Sequence, residues 1–187
     1  MNTDAVPKTK ILVYGIGNPG RQDDGLGSAL VARLEKKKIR GLRLEVDYQL
    51  QVEDSLLFSD QDLVIVADAL KTGPGPFILH KVKPAGDFTF TSHSLPPAAV
   101  AFLCQKLYYK APAVYILGIR GYEFEPGEKL SPKARENLEQ ALAFLLGILK
   151  QPSSLLKSSA IMAEKAEPKT ESGRRKNGKS KKRSPGA

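Results

Sequence analysis

Two short apolar runs constrain the fold of this chain more than any other feature of its sequence. They are KILVY at 10–14, stopped by Gly15, and LVIVA at 63–67, which ends at Asp68. Apolar runs of this length without polar alternation are typical of strands buried on both faces, as in parallel sheets covered by helices. The chain is therefore expected to build an α/β domain around these two strands.

Strand-like and helix-like segments alternate along the first 150 residues. The pattern predicts strands at 10–14, 42–50, 63–67, 77–82 and 113–118. It predicts helices at 25–37, 96–108 and 131–149. This order predicts a single-domain, three-layer α/β/α sandwich with a mostly parallel, twisted sheet of about five strands. The strand at 77–82 is the one that can run antiparallel.

Positive charge is concentrated at the carboxy-terminal end of the chain. The sequence has 29 Lys and Arg against 20 Asp and Glu, and residues 151–187 hold ten of these cations but three acids. We expect a flexible segment at 1–8, a folded domain at 9–150, and a disordered basic tail at 151–187. A solubilising role is favoured for the tail, with binding of a polyanion as the alternative. Because the tail has no aromatic residue for base stacking, nucleic acid is not the expected partner.

Cysteine content and hydropathy limit the class of protein. The lone Cys104 excludes an intramolecular disulfide and a cysteine-rich metal site, and its apolar surroundings predict a buried filler. No apolar run approaches 18 residues, and the amino-terminal segment lacks a hydrophobic stretch. We therefore expect neither a membrane span nor a secretory signal, and a cytoplasmic location.

A glycine motif follows the first strand. GIGNPG at 15–20 matches GxGxxG, and Glu45 or Asp47 is placed to meet a ribose hydroxyl, so a dinucleotide-binding oxidoreductase is one alternative. Asp23 and Asp24 argue against it, since carboxylates repel a pyrophosphate by several kcal/mol unless a metal intervenes. The same letters resemble the opening of bacterial peptidyl-tRNA hydrolases. That family needs a histidine soon after the motif, and none occurs before His80, which is expected to be structural.

Three side chains form the candidate site. Asp24 follows the first strand and Asp68 ends the third, and the carboxyl ends of neighbouring parallel strands converge on one ligand-binding edge. His93 lies in a loop before a helix. Two carboxylates and an imidazole suit a borderline divalent ion such as nickel or zinc, or acid–base chemistry without a metal. Each also has an ordinary explanation: Asp23 or Asp24 as a helix cap, Asp68 as a turn residue, His93 as an exposed loop residue.

Three motifs taken together resemble those of the NiFe-hydrogenase maturation endopeptidases. They are GIGN at 15–18 followed by DDGLG at 23–27, VIVADA at 64–69, and SHSL at 92–95. The resemblance spans roughly residues 9–150. It implies that Asp24, Asp68 and His93 are catalytic and coordinate a metal. Some family members have Gly-Gly-Thr where this chain has Tyr48-Gln49-Leu50.

The resemblance implies an endopeptidase that removes a carboxy-terminal extension from the precursor of a hydrogenase large subunit after nickel insertion. Nickel would be held by the precursor and not by the enzyme, although another divalent ion can occupy the site. Loops 71–76 and 122–128 are candidates for gripping the substrate. A non-catalytic partner that checks for nickel is the alternative within this interpretation, because no Ser–His–Asp or Cys–His nucleophile is evident.

Overall fold

The computed structural model describes residues 9–86 and 95–157. A 3-10 helix, Gln22–Gly25, lies between the first strand and the first α-helix. The strands are β1 Ile11–Ile16, β2 Leu42–Asp47, β3 Leu63–Leu70, β4 Phe77–Lys81 and β5 Ala113–Arg120. The helices are α1 Leu26–Glu35, α2 Asp54–Ser59, α3 Pro97–Tyr108, α4 Pro132–Lys150 and α5 Ser153–Lys157.

The five strands form one sheet in the order β2-β1-β3-β5-β4. β2, β1, β3 and β5 run parallel, and β4 pairs antiparallel with β5. The long apolar runs become the central strands β1 and β3, as their lack of alternation predicts. The predicted mostly parallel α/β sheet is confirmed, including the antiparallel strand at its edge.

Helices cover both faces of the sheet. Leu63 and Ile65 of β3 point into a core shared with α1 and α4. Val64 and Val66 point the opposite way, into a core shared with α2 and α3. This alternation places every second β3 side chain on the same face, so Asp68 lies on the α2 and α3 side. The three-layer arrangement is that predicted from the sequence.

The strand ends differ from the predicted ones. β2 was expected to reach Leu50 but ends at Asp47, because Asp47 pairs with Ile16, the last residue of β1. Near this end of β2, Val46 and Tyr48 are exposed, at 49% and 66%. β1 continues through Gly15, and β3 continues past Asp68 to Leu70. The short helix α2 was not predicted, since six residues carry too little periodicity to be recognised.

Close packing of α1 on the sheet depends on Gly27. A Cβ at this position would lie 2.3 Å from the carbonyl oxygen of Ile16 and 2.5 Å from that of Ala67. Both atoms are backbone atoms of central strands, so a side chain would push the helix away. Because glycine has no side chain, the start of α1 can pack directly against the carboxyl ends of β1 and β3.

The last helices define the end of the described structure. α4 begins as predicted, with the hydroxyl of Ser131 accepting a hydrogen bond from the Ala134 amide at 3.3 Å. The helix α5 lies beyond the predicted domain end at 150, and the Tyr115 hydroxyl donates to the Leu155 carbonyl at 2.8 Å. Residues 158–187, which make up most of the predicted basic tail, lie outside the described residues. No helix within 9–86 and 95–157 is long and apolar enough to cross a membrane.

Candidate active site

Asp68 lies within β3, near the carboxyl edge of the sheet. It pairs with Gly118 of β5 on one side, whereas the pairing of β3 with β1 ends one residue earlier, at Ala67. Its Oδ1 accepts a hydrogen bond from the amide of Ala69 at 2.7 Å. The half-buried Asp68 carboxylate therefore lies just beyond the last β1–β3 pair, beside the segment that follows β1.

Asp24 reaches the same edge from the loop between β1 and α1. Its Oδ2 accepts a hydrogen bond from the Asn18 amide at 3.1 Å. Gly17 has a φ of 123°, and a Cβ there would lie 2.0 Å from the Asp24 carbonyl oxygen. Glycine is therefore required at this position, both for the left-handed backbone and for the close approach. The loop is folded tightly on itself, which holds the Asp24 carboxylate in place.

The two carboxylates are electrostatically coupled. Burial raises the pKa of Asp68 to about 6, and the negative charge of Asp24 adds to the rise, although the hydrogen bond from Ala69 opposes it. The structure thus brings Asp24 and Asp68 within electrostatic range at one edge. A carboxylate that titrates near neutral pH suits a general base.

Asp23 has a different role from its neighbour. It is fully buried, and its carboxylate accepts hydrogen bonds from the amides of Tyr122, Glu123 and Ser131 and from the Ser131 hydroxyl, at 2.7 to 3.0 Å. Burial would raise the pKa of Asp23, but these hydrogen bonds outweigh it and lower the pKa below its ordinary value. Asp23 therefore fastens the 3-10 helix to the loop before α4. Neither it nor Asp24 caps α1, because the N-cap of α1 is Gly25, without a side-chain hydrogen bond.

His93, the third predicted site residue, lies outside the described residues. Leu95 is the first described residue after it, and its amide donates to the Leu50 carbonyl at 3.1 Å. Just before Leu50, the carbonyls of Asp47 and Tyr48 each accept from the amide of Gly17 at 3.2 Å. Backbone hydrogen bonds therefore link the loop after β2 both to the Asp24 loop and to the start of α3.

The aspartate pair does not make a metal site without further ligands. Among residues 9–86 and 95–157, no group of three His, Cys, Asp or Glu side chains is arranged to hold a metal ion. A groove of about 650 Å³ lies at the opposite, amino end of the strands, among Arg43, Asp60 and Lys110. This groove contains none of the predicted site residues. Asp24 and Asp68 therefore remain the candidate reactive groups, at the carboxyl edge of the sheet.

The glycine motif does not leave its amides open for a phosphate. The Asn18 amide, inside the motif, is already bonded to the Asp24 carboxylate. α1 begins at Leu26, after the motif, so its amino terminus is preceded by two acidic residues. A pyrophosphate needs free amides and no negative charge at this point. The geometry therefore argues against the dinucleotide alternative.

Two residues that position the aspartates could not be identified from the sequence. Asn18 belongs to the glycine motif, but nothing in the sequence indicates the hydrogen bond from its amide to Asp24. Ser131 was expected to start α4, yet it also donates two hydrogen bonds to Asp23, 108 positions away. The adjacent acids at 23 and 24 were the available signal, but adjacency does not indicate which of them turns inward.

The chain is similar in sequence to a protein of Methanocaldococcus jannaschii named “Putative hydrogenase maturation protease”. The two are 28% identical over 160 residues, covering 77% of this chain and 99% of the relative. No protein-family model matches the chain.

Solved structures share the fold. The hydrogenase maturating endopeptidase HybD from E. coli is 25% identical, with a TM-score of 0.65 over 76% of this chain and 93% of its own. The NiFe hydrogenase maturation protease HycI from Thermococcus kodakarensis is 24% identical, with a TM-score of 0.63 over 78% of this chain and 95% of its own, a likeness of fold. The predicted resemblance to the hydrogenase maturation endopeptidases is confirmed, and with it the prediction that the chain is a peptidase.

Proposed function

We propose that this chain removes the carboxy-terminal extension from the large-subunit precursor of a NiFe hydrogenase after nickel insertion, acting in the cytoplasm. The observation that carries the proposal is the coupled pair Asp24 and Asp68 at the carboxyl edge of the sheet. Two like charges held together in a half-buried place cost stability, which is typical of functional sites. The relatives supply the class of substrate.

Nickel is part of the substrate in this proposal. Asp24, Asp68 and His93 together offer oxygen and nitrogen donors, which suit a borderline divalent ion. Because no thiolate is among them, they bind a free ion weakly, and the precursor's own ligands complete the coordination. The enzyme thereby distinguishes a loaded precursor from an empty one. Another divalent ion can occupy the same donors.

Hydrolysis then requires an activated water beside the scissile peptide bond. A carboxylate of the pair that is not bound to the metal accepts a proton from that water as the oxygen attacks the carbonyl carbon, and Asp68, with its pKa of about 6, suits this task. The C–N bond breaks as the proton passes to the leaving amine. Asp24 and His93 contact the metal-bound end of the precursor and fix the distance between water and carbonyl.

The test is processing of nickel-loaded and metal-free precursor by the wild type and by Asp24→Ala, Asp68→Ala and His93→Ala. We expect the wild type to shorten the loaded form and each variant to lose at least about 100-fold in rate. His80→Ala is the matched control, because His80 is an exposed histidine on the edge strand β4.

Each alternative predicts a different result. Equal cutting of loaded and metal-free precursor would contradict recognition of nickel. Full activity in all three variants would contradict the assignment of the site. A precursor that binds the wild type but keeps its length would favour the non-catalytic, nickel-checking partner.

A further inference from the structure

Arg120, the last residue of β5, has a buried donor without a partner. Its Nη1 is shielded from solvent, and no acceptor among residues 9–86 and 95–157 lies within hydrogen-bond distance. An unpaired buried donor on a cation costs free energy, and such groups in native proteins commonly await a ligand, an ion or a water. Arg120 therefore needs an acceptor from outside the described part of the chain.

Arg120 lies beside the ring of Tyr122, and two lysines lie over the rings of Tyr122 and Phe124. The Arg120 Cζ lies 5.4 Å from the ring centroid of Tyr122, and the Lys133 Nζ lies 4.6 Å from the same centroid. The Lys71 Nζ lies 5.0 Å from the ring of Phe124. We call Lys71, Arg120 and Lys133 the cation cluster.

The cation cluster has no ionic partner in the described residues. The salt bridges found within 9–86 and 95–157 involve other cations. The nearby Glu123 side chain instead accepts a hydrogen bond from Gln22 at 3.3 Å. Asn137 holds the arrangement, because its Nδ2 donates to the Arg120 carbonyl at 2.9 Å and to the Tyr122 hydroxyl at 3.1 Å. The cluster is thus positioned by the fold, and no carboxylate of the described residues pairs with its charge.

The cation cluster lies close to the candidate site along the sheet. Asp68 pairs with Gly118, and Leu70 pairs with Arg120, two residues further towards the carboxyl edge. Arg120 thus lies at the same carboxyl edge of the sheet as Asp68. Sheet geometry separates the two Cα atoms by about 8 Å, a span that two or three residues of extended peptide cover.

We propose that the cation cluster binds a carboxylate of the substrate's extension, a specificity site that rests on the proposed function. Arg120 supplies the planar fork that matches a carboxylate, and the two lysines add charge without that geometry. The carboxylate comes either from an acidic side chain a few residues beyond the scissile bond or from the free end of a short extension. Binding it holds the extension on the far side of the scissile bond from the nickel.

The first test measures binding without cleavage. The probe is a synthetic peptide of the precursor's extension with a free carboxy terminus, titrated into full-length wild type, Arg120→Gln, Arg120→Lys and Lys133→Gln. We expect Arg120→Gln to weaken binding about 10-fold or more, and Arg120→Lys to restore part of it. The control is Arg135→Gln, which removes an exposed cation from the same helix as Lys133.

Two further peptides distinguish the sources of the carboxylate. One carries a carboxy-terminal amide, and the other has its acidic side chains changed to amides. The peptide that lacks the recognised carboxylate should bind wild type and Arg120→Gln equally. Equal sensitivity of all peptides to Arg120→Gln, or none, would overturn the proposal.

The second test measures processing of loaded precursor. Arg120→Gln should raise KM about 10-fold with little change in kcat, because the carboxylate is bound equally before and during the reaction. An unchanged KM with an active wild type would overturn the specificity site while leaving the proposed function intact. If the wild type does not process the precursor, the proposed function fails, and the peptide titration still decides whether the cluster binds carboxylates.

Discussion

The substitution Asp68→Asn should make the protein more stable and inactive at neutral pH. Burial and the charge of Asp24 raise the pKa of Asp68 from 3.8 to about 6. Each unit of such a shift corresponds to about 1.4 kcal/mol, so ionised Asp68 costs the fold about 3 kcal/mol. Asparagine keeps an oxygen for the Ala69 amide but carries no charge. We therefore expect a gain of about 2 to 3 kcal/mol above pH 6, or about 5 to 10 °C in Tm.

The sign of the pH dependence follows from the raised pKa. Below pH 3.8 the carboxyl group is protonated in both the folded and the unfolded chain, so it contributes nothing to the difference. Between pH 3.8 and about 6, the unfolded chain has released the Asp68 proton while the folded chain still holds it. The free energy of unfolding of the wild type therefore falls relative to the variant across this interval, and the difference is constant above it.

Urea denaturation between pH 4 and pH 8 measures this difference directly. The matched control is Asp47→Asn, because Asp47 also accepts a hydrogen bond from the next amide, at 2.6 Å, but is exposed. It should change stability little at pH 8. A stability difference for Asp68→Asn that does not vary with pH, or a loss of stability at pH 8, would refute the reasoning. If the stabilised variant no longer processes the precursor, Asp68 contributes to activity at a cost in stability.

Three other substitutions, one of them with a matched control, test other parts of the structure. Asp24→Asn should lower the pKa of Asp68, so the fall in the free energy of unfolding with rising pH should end at a lower pH than in the wild type. An unchanged end point would mean that the charge of Asp24 does not act on Asp68. Asp23→Asn should cost about 3 kcal/mol in urea denaturation at pH 7, because an amide cannot accept from all four donors. That cost should shrink below pH 3.8, where the low pKa of Asp23 no longer favours the fold, and a pH-independent cost would contradict a charge effect. Gly27→Ala should cost about 2 kcal/mol through contact with strand carbonyls, whereas Gly147→Ala, which meets nothing within 4 Å, should stabilise α4 by about 0.5 to 1 kcal/mol; equal effects would refute the packing argument.

The central sheet could be predicted from the sequence because its strands are buried on both faces. Continuous apolar runs leave few alternatives for segments such as 63–67, and the helix starting after Ser131 has a clear cap. The end of β2 could not be predicted, since it depends on where β1 ends, and alternation continues in the sequence through Tyr48 to Leu50. Pairing between strands, and not local pattern, decides such boundaries.

The candidate site was predictable in part. Topology brings Asp24 and Asp68 to one edge, because β1 and β3 are parallel neighbours. The assignment of His93 stays a prediction. Loop 71–76, which contains Lys71, was a predicted substrate contact, but the cation cluster as a whole could not be predicted, since Lys71, Arg120 and Lys133 lie in three separate segments of the chain.

The two adjacent aspartates show how one loop separates stability from chemistry. Asp23 accepts four hydrogen bonds and is stabilising as an anion, whereas the charge of Asp24 adds to the burial that makes ionisation of Asp68 unfavourable. The hydrogen bonds of Asp23 fasten the 3-10 helix against the loop before α4. This attachment limits movement of the neighbouring Asp24 carboxylate away from Asp68. Without Asp23, movement of the loop would relieve the repulsion between Asp24 and Asp68, and the part of the rise in the Asp68 pKa that comes from the Asp24 charge would be lost. That part of the rise thus depends on a buried carboxylate that takes no part in the chemistry, whereas the larger part comes from the burial of Asp68 itself.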